Sequence, residues 1–207
     1  MFRIFGPPGT GKTTTLLNMV DTAIQGGTEP SNIAFLAFTR KAAYEAKERA
    51  ARRFDLNPDK DLPYFRTLHS LAYMMLGIKE NQLMQREHFD ELSNKIGIVL
   101  TIRSAALDDD DVGLITSDHP IIGLINLSRL KKTSLRTEYN CSSLEEDWMT
   151  VDYVNRAYHD YKNAHGLIDY TDMLVEFVDN AINYCPEFDL CFMDEAQDLS
   201  PLQWDIA

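Results

Sequence analysis

Short apolar runs near the two ends of the chain predict buried strands. They cover residues 1–5, 33–38 and 188–193, with a shorter candidate at 64–67. Runs with little polar alternation are typical of parallel strands that are covered on both faces. Segments that can form helices lie at 13–25, 40–54 and 68–76. The alternation of strand and helix predicts an α/β fold: a parallel sheet with helices on both faces.

The middle of the chain follows a different pattern. Helical segments at about 81–96, 119–131 and 145–164 are separated by polar or acidic links, among them Asp108–Asp111. Because no strand–helix rhythm is visible there, we predict a mostly helical subdomain inserted at residues 78–162. Residues 1–77 and 163–207 would then form one α/β domain around it.

The length and composition indicate an ordinary globular protein. With 207 residues, 44% hydrophobic and 25% charged, the chain can bury a core of normal size. No apolar run approaches the roughly 20 residues of a membrane helix, and the loop beginning at Gly6 leaves no room for a signal peptide. Three cysteines without a C-x-x-C pair fit reduced thiols. We therefore expect a cytoplasmic protein without a membrane partner.

The charge distribution is uneven. A net charge of −12 argues against a protein that coats nucleic acid indiscriminately. Residues 38–53 nevertheless carry six Lys/Arg against two Glu, and residues 129–136 carry four Lys/Arg and no acid. Either run could be a local basic surface or only a solvated face.

One glycine-rich stretch fits the phosphate-binding pattern G-x-x-x-x-G-K-[ST] at every fixed position. Its glycines let the backbone N–H groups point at an anion, and the following helix adds the positive end of its dipole. The lysine can reach the outer phosphates of a nucleoside triphosphate, and the threonine hydroxyl can bind Mg²⁺. The expected phosphate-binding residues are Gly6, Pro7, Pro8, Gly9, Thr10, Gly11, Lys12, Thr13 and Thr14.

The last apolar run ends in the carboxylate pair Asp194 and Glu195. The carboxyl ends of parallel strands open onto the ligand crevice, so both side chains are expected to face the phosphates. Asp194 is a candidate Mg²⁺ ligand, directly or through water. Glu195 is a candidate base for the attacking water. Together with the glycine-rich loop, this pair predicts hydrolysis of a nucleoside triphosphate.

Several segments then resemble one family. Residues 194–203 (DEAQDLSPLQ) resemble motif II of the UvrD/Rep family of superfamily-one helicases. Residues 37–43 (AFTRKAA) are similar to motif Ia, with Arg40 where the family usually has Asn. Residues 67–70 (TLHS) resemble the T-x-H-S segment after the third strand. Residues 169–174 (DYTDML) are similar to the D-F-x-D-L-L segment, and their two aspartates predict a capped helix start.

The resemblance implies the first motor domain of a DNA helicase, with a RecA-like P-loop fold and the helical insert as its accessory subdomain. It implies ATP and Mg²⁺ as cofactors and single-stranded DNA as the partner, tracked 3′ to 5′. Gln197 would couple the γ-phosphate to the DNA site, as a catalytic residue beside Lys12 and Glu195. The implied DNA-binding residues are Phe38, Thr39, Arg40, Lys41, Thr67 and His69.

Phe38 would stack on a base, and His69 would contact the strand beside it. From composition alone, Phe38 would instead be a core residue at a strand end. His69 alone would be an ordinary hydrogen-bonded histidine.

Two segments of the family are not found. Only five residues precede Gly6, without the family's Gln segment that recognises adenine, so we expect weak selection for ATP. Nine residues follow Asp198, ending before the family's motif III, so we expect a second motor domain to be missing. We therefore expect the chain to bind Mg-nucleotide, hydrolyse it slowly and not unwind DNA.

Three other functions fit part of the pattern. A small-molecule P-loop kinase would need an arginine-rich lid, for which Arg129–Arg136 is the candidate, and would give Gln197 no role. A ring-forming AAA-type ATPase shares the loop sequence but needs a sensor strand and a lid after the carboxylates. A non-catalytic lobe would bind single-stranded DNA with nucleotide as a structural ligand, and would keep DNA binding when Lys12 is substituted.

Overall fold

A computed structural model describes residues 3–7, 9–100, 102–104, 115–117 and 119–207. Met1 and Phe2 of the first predicted strand, Pro8 of the glycine-rich loop and the Asp108–Asp111 run lie outside the described residues. The strands are β1 (Ile33–Ala37), β2 (Phe65–Thr67), β3 (Ile102–Ser104), β4 (Ile115–Ser117) and β5 (Leu190–Met193). The helices are α1 (Lys12–Gln25), α2 (Arg40–Phe54), α3 (Pro58–Asp61), α4 (Leu68–Leu76), α5 (Arg86–Ile96), α6 (Pro120–Leu130), α7 (Leu135–Cys141), α8 (Trp148–His165), α9 (Tyr170–Tyr184) and α10 (Pro201–Trp204).

A parallel three-stranded sheet of order β2-β1-β5 confirms the predicted α/β class and the three strands that form it. All five residues of β1 are buried, as expected of a central parallel strand. The Phe35 ring lies 5.5 Å from that of Phe65 and 6.5 Å from that of Phe192. The three rings, one from each strand, therefore pack against one another across the sheet.

The start of the chain differs from the prediction. Residues 3–7 carry no strand, and the Phe5 side chain is 87% exposed. β5 forms one edge of the sheet, and no described strand pairs with its outer side. A strand is stable only where its backbone N–H and C=O groups have hydrogen-bond partners. The apolar side chains of this segment are therefore not enough to make it a strand.

The chain divides into two compact units. The first, here the sheet unit, comprises Met1–Met75, Ala181–Leu199 and Ile206–Ala207. The second, here the helical unit, comprises Leu76–Asn180 and Ser200–Asp205. Residues 163–180 make most of their contacts with the helical unit. The predicted division into residues 1–77 with 163–207 and residues 78–162 concerns independently folding domains, and it stays a prediction.

In the helical unit, the three predicted segments form α5, α6 and α8, and their buried side chains share one core around Tyr158 and Phe89. The antiparallel pair β3–β4 was not predicted. The capped start of α9 is confirmed: the Asp169 N–H donates to Asp172 Oδ2 at 2.8 Å, and the Asp172 N–H donates to Asp169 Oδ1 at 2.7 Å.

Candidate nucleotide and nucleic-acid site

The glycine-rich loop needs its glycines for steric reasons. Gly9 and Gly11 adopt φ values of +79° and +80°, where a side chain is strained. A Cβ atom at Gly6 would lie 2.5 Å from Thr10 Oγ1. The Thr10 hydroxyl donates to the Pro7 carbonyl at 2.7 Å and closes the loop. The backbone therefore curls tightly just before α1.

The Lys12 side chain folds back over this loop. Its Nζ donates to the carbonyl oxygens of Gly6 at 3.0 Å and Pro7 at 3.4 Å. Lys12 is also the first residue of α1, so its ammonium group and the positive end of a 14-residue helix lie in the same place. Thr13 and Thr14 follow in the first turn of α1. The combination favours an anion such as a phosphate.

A hydrogen bond joins the loop to the predicted carboxylate across 181 residues of sequence. Thr13 Oγ1 donates to Asp194 Oδ2 at 2.7 Å. Asp194 is only 2% exposed; its N–H donates to the Leu36 carbonyl at 2.8 Å, and its Oδ1 accepts from the Glu195 N–H at 3.0 Å. The structure thus brings both halves of the predicted nucleotide site together and fixes the carboxylate.

The oxygen pair fits a magnesium ion. Adjacent ligands of an octahedral Mg²⁺ lie about 2.9 Å apart, given Mg–O distances of 2.0–2.1 Å. The hydroxyl and carboxylate oxygens of Thr13 and Asp194 already lie 2.7 Å apart. No group of three or more His, Cys, Asp or Glu that could hold a metal is found among the described residues.

Glu195 has an unusual backbone. Its φ and ψ of 51° and 39° lie in the left-handed region, which costs free energy for a residue with a side chain. A turn closed by the Asp198 N–H and the Glu195 carbonyl at 3.0 Å holds it there. The Gln197 side-chain amide donates to the Glu195 carboxylate and, at 3.3 Å, to Asp198 Oδ2. Gln197 therefore contacts the predicted base directly.

The predicted DNA-binding residues follow β1 and β2 at the same edge of the sheet. Ala37 at the end of β1 is paired with Thr67 at the end of β2, and Leu36 with Met193, the residue before Asp194. The carboxyl ends of all three strands are therefore adjacent. Phe38 is 48% exposed and is not a core residue.

The first of these segments forms the start of α2. Thr39 caps the helix, since its Oγ1 accepts from the Ala42 N–H at 3.2 Å. Arg40 is partly buried, and Lys41 is exposed. Thr39 thus has a structural role whatever else it binds.

The second segment is braced by a residue that sequence reasoning missed. Thr67 Oγ1 accepts from the Ser70 N–H at 3.2 Å. Arg66 donates to the Pro63 carbonyl at 2.6 Å and to the Ser70 hydroxyl at 3.1 Å. These two bonds link the residues before β2 to the first turn of α4. Burial lowers the pKa of His69 to about 4, so its imidazole is neutral at pH 7.

In the basic run at 129–136, Lys131, Lys132 and Arg136 are exposed to solvent, while Arg129 is partly buried. Each of its four cations has a contact in the helical unit. Lys131 binds Glu138 at 2.8 Å, Lys132 binds Asp205 at 2.5 Å, and the Arg136 guanidinium lies 4.4 Å from the Trp148 ring. Arg129 and Arg136, the two arginines in the stretch that a kinase lid would use, both make contacts within this unit.

Arg129 belongs to a buried group, here called the Asp169 cluster, which the sequence did not predict. Its members are Arg129, Tyr158, Lys162, Asp169 and Asp172. Asp169 accepts from both Arg129 Nη atoms at 2.8 and 2.5 Å, from Tyr158 at 2.9 Å and from Lys162 at 2.6 Å. Burial alone would raise the pKa of Asp169, but Arg129 and Lys162 outweigh it and hold the pKa well below its usual range. The cluster ties α6, α8 and α9 together.

Comparison with known proteins gives a consistent picture. A family model described as the UvrD/REP helicase N-terminal domain matches residues 2–207. The chain is also 28% identical over 211 residues to the "Putative ATP-dependent DNA helicase YjcD" of Bacillus subtilis (strain 168). That match covers 96% of this chain and 27% of the relative, so the chain spans about a quarter of the relative's length. No helix in the described part of the chain is long and apolar enough to cross a membrane.

Proposed function

Because the chain belongs to the UvrD/REP helicase family, whose N-terminal domain it matches, we propose that it is the ATP-hydrolysing motor domain of a DNA helicase. Its nucleotide site, at the carboxyl edge of the sheet, would drive movement along single-stranded DNA, with the 3′ to 5′ direction that the family resemblance implies. The predicted insert at 78–162 would serve as the accessory subdomain.

One observation supports this proposal most strongly. A hydrogen bond of 2.7 Å joins Thr13, next to the glycine-rich loop, to the buried carboxylate of Asp194, and one ion bound there would contact both. A glycine-rich loop alone could bind phosphate in many proteins. A loop with an adjacent carboxylate pair has the parts that hydrolysis of a nucleoside triphosphate needs.

We assign the chemical steps to residues as follows. The loop N–H groups and the start of α1 bind the phosphates, and Lys12 leaves the Gly6 and Pro7 carbonyls to reach the outer ones. Thr13 and Asp194 would hold Mg²⁺, which would neutralise charge on the phosphates. Glu195 accepts a proton from the attacking water. Gln197, whose amide donates to the Glu195 carboxylate, would couple the γ-phosphate to the DNA site.

The strand ends beside this site would bind DNA. The half-exposed Phe38 ring offers a stacking surface for a base, and such stacking contributes roughly 1–3 kcal/mol. Thr39, Arg40 and Lys41 lie at the start of α2, where N–H groups and positive charge favour a phosphate. His69, neutral at pH 7, would act with Thr67 as a hydrogen-bonding contact and not as a cation.

Strand separation would need a second motor domain, which we propose as a partner of this chain. Two motor domains can open and close around ATP, and an arginine from the second would stabilise charge on the transferring phosphoryl group. Such arginines contribute a factor of roughly 10³–10⁵ in related reactions. The purified chain should therefore bind Mg-ATP, hydrolyse it slowly and leave duplexes intact.

The test is phosphate release with Mg-ATP, with and without an oligothymidylate, for wild type, Lys12→Ala and the control Lys95→Ala. Lys95 is an exposed cation of α5, remote in sequence from the loop. Stimulation by the oligonucleotide that Lys12→Ala abolishes and Lys95→Ala retains is the expected result. Transfer of phosphate to a metabolite, or equal activity in Lys12→Ala, would refute the proposal.

A further inference from the structure

The two faces of α2 have different surroundings. Ala43, Ala46 and Ala50 are buried on its inner side, against the core of the sheet unit. The outer side borders an open depression of about 520 Å³. The residues that line this depression are Tyr44, Glu45, Glu48, Arg49, Arg52 and Arg53.

Positive charge is concentrated on this helix in an otherwise acidic protein. Residues 38–53 carry six cations against two glutamates, whereas the whole chain has a net charge of −12. Three of the six are neutralised locally, by ion pairs between Lys47 and Asp59, Arg52 and Glu48, and Arg53 and Asp21.

Two cations remain available on the outer side. Lys41 and Arg49 make no ion pair with any residue in the described part of the chain. Glu45 lies one turn before Arg49, at a spacing that favours a pair, yet the two are not bonded. Lys41 and Arg49 are therefore free to bind an external anion.

An exposed aromatic ring lies between these cations in the helix. Tyr44 is 61% exposed and follows Lys41 by one turn. The rise from Lys41 to Arg49 along α2 is about 12 Å. A B-DNA strand carries one phosphate per 3.4 Å of helix axis, so a span of this length can reach more than one phosphate. A ring flanked by cations is the arrangement that binds single strands without sequence preference.

We propose that the outer face of α2 is a further contact for single-stranded DNA, continuous with the surface at Phe38–Lys41. Tyr44 stacks on a base, while Lys41 and Arg49 bind phosphates. Since α2 begins directly after Phe38 and Thr39, a strand that stacks on Phe38 leads to the first turns of this helix. The inference rests on the proposed function and extends its DNA site by Tyr44 and Arg49.

The experiment measures binding of fluorescein-labelled oligothymidylates by anisotropy, using the whole chain. A tetramer and an oligomer of about 12 nucleotides are compared, within the 4–16 nucleotides typical of single-strand sites. Tyr44→Ala is paired with Tyr153→Ala, an exposed tyrosine of the helical unit. Arg49→Ala is paired with Arg86→Ala, an exposed cation of α5.

Tyr44→Ala should weaken binding of the longer oligomer about tenfold, with little effect on the tetramer. Arg49→Ala should reduce the slope of log K against log salt by about 0.7, the loss of one phosphate contact on a single strand. Tyr44→Phe, which keeps the ring, should bind like wild type. Melting temperatures should be unchanged, because both side chains are exposed.

The possible failures are distinguishable. If Phe38→Ala weakens binding but Tyr44→Ala and Arg49→Ala stay within twofold of wild type, this inference is wrong and the proposed function stands. Equal losses in the Tyr153→Ala and Arg86→Ala controls would also overturn it. A larger loss with duplex than with single strand would assign the face to duplex DNA instead. A wild-type chain that binds no oligonucleotide would contradict both the inference and the DNA-binding part of the proposed function.

Discussion

Replacing Asp169 by Asn should destabilise the helical unit strongly. In the Asp169 cluster, the carboxylate accepts four side-chain hydrogen bonds of 2.5–2.9 Å from Arg129, Tyr158 and Lys162. The variant leaves two cations beside an amide that offers one acceptor oxygen and adds an N–H group facing donors. Breaking a buried ion pair by removing one partner costs about 3–5 kcal/mol.

The lower end of that range applies here. Asp172 keeps a contact with each cation, at 2.5 Å to Lys162 Nζ and 3.4 Å to Arg129 Nη1. We therefore expect a loss of about 3 kcal/mol, a large part of the 5–15 kcal/mol that stabilises a typical domain. With a urea m-value of about 2 kcal/mol/M, the unfolding midpoint falls by about 1.5 M.

Tryptophan fluorescence reports this transition selectively. The chain has two tryptophans, and both Trp148 in α8 and Trp204 in α10 belong to the helical unit. Asp152→Asn is the matched control, because it breaks an exposed pair with Arg156 and should cost only about 0.3–0.5 kcal/mol. A midpoint for Asp169→Asn within 0.3 M of the control, an interval of about 0.6 kcal/mol at the same m-value, would refute the reasoning.

The effect should also depend on pH. Arg129 and Lys162 hold the pKa of Asp169 below its usual range, so its contribution is complete above an unfolded-state pKa of about 3.9. That contribution is lost as the pH falls further. The difference between wild type and Asp169→Asn should therefore narrow below about pH 4.

Three further predictions concern the sheet unit. Burial lowers the pKa of His69 to about 4, so stability should fall as the pH drops from about 6.5 towards 4, by at most about 3.4 kcal/mol. His69→Gln should flatten this dependence in unfolding followed by circular dichroism. In Gly6→Ala, the new Cβ would lie 2.5 Å from Thr10 Oγ1, so nucleotide binding measured by calorimetry should weaken about tenfold. Combining it with Thr10→Ala should restore part of the affinity. If affinity is not restored, the clash is not the cause. Glu195→Gln should bind Mg-ATP like wild type but release phosphate about 10²–10⁴ times more slowly. If the variant instead loses its affinity for Mg-ATP, Glu195 does not have a purely catalytic role.

Local sequence patterns predicted the parts of the fold that depend on local interactions. β1 and β5 are continuous apolar runs, and the start of α9 is determined by two aspartates three residues apart. The glycine-rich loop was predictable because the φ values at Gly9 and Gly11 leave little choice of residue. The run at 1–5 is also mostly apolar, yet its described residues 3–5 form no strand, because pairing depends on a neighbour that the pattern does not reveal.

Long-range partners could not be predicted. Arg129 and Asp169 are 40 residues apart, and nothing near either one indicates that they form a buried pair. For the same reason, the sequence left the run at 129–136 as either a local basic surface or a solvated face. β3 and β4 have three residues each, too short for an alternation pattern to be recognised. Exposure of Tyr44 likewise depends on which face of α2 packs inward.

The central position of β1 has a consequence for how the molecule opens. β1 pairs on one side with β2, which leads to Thr67 and His69, and on the other with β5, which leads to Asp194. Strands of one small sheet exchange their amide protons as a cooperative unit, because local opening of the central strand removes the partners of both neighbours. The proposed nucleotide site and the proposed nucleic-acid surface should therefore be lost together in a single opening event, so that neither persists in a partly unfolded chain.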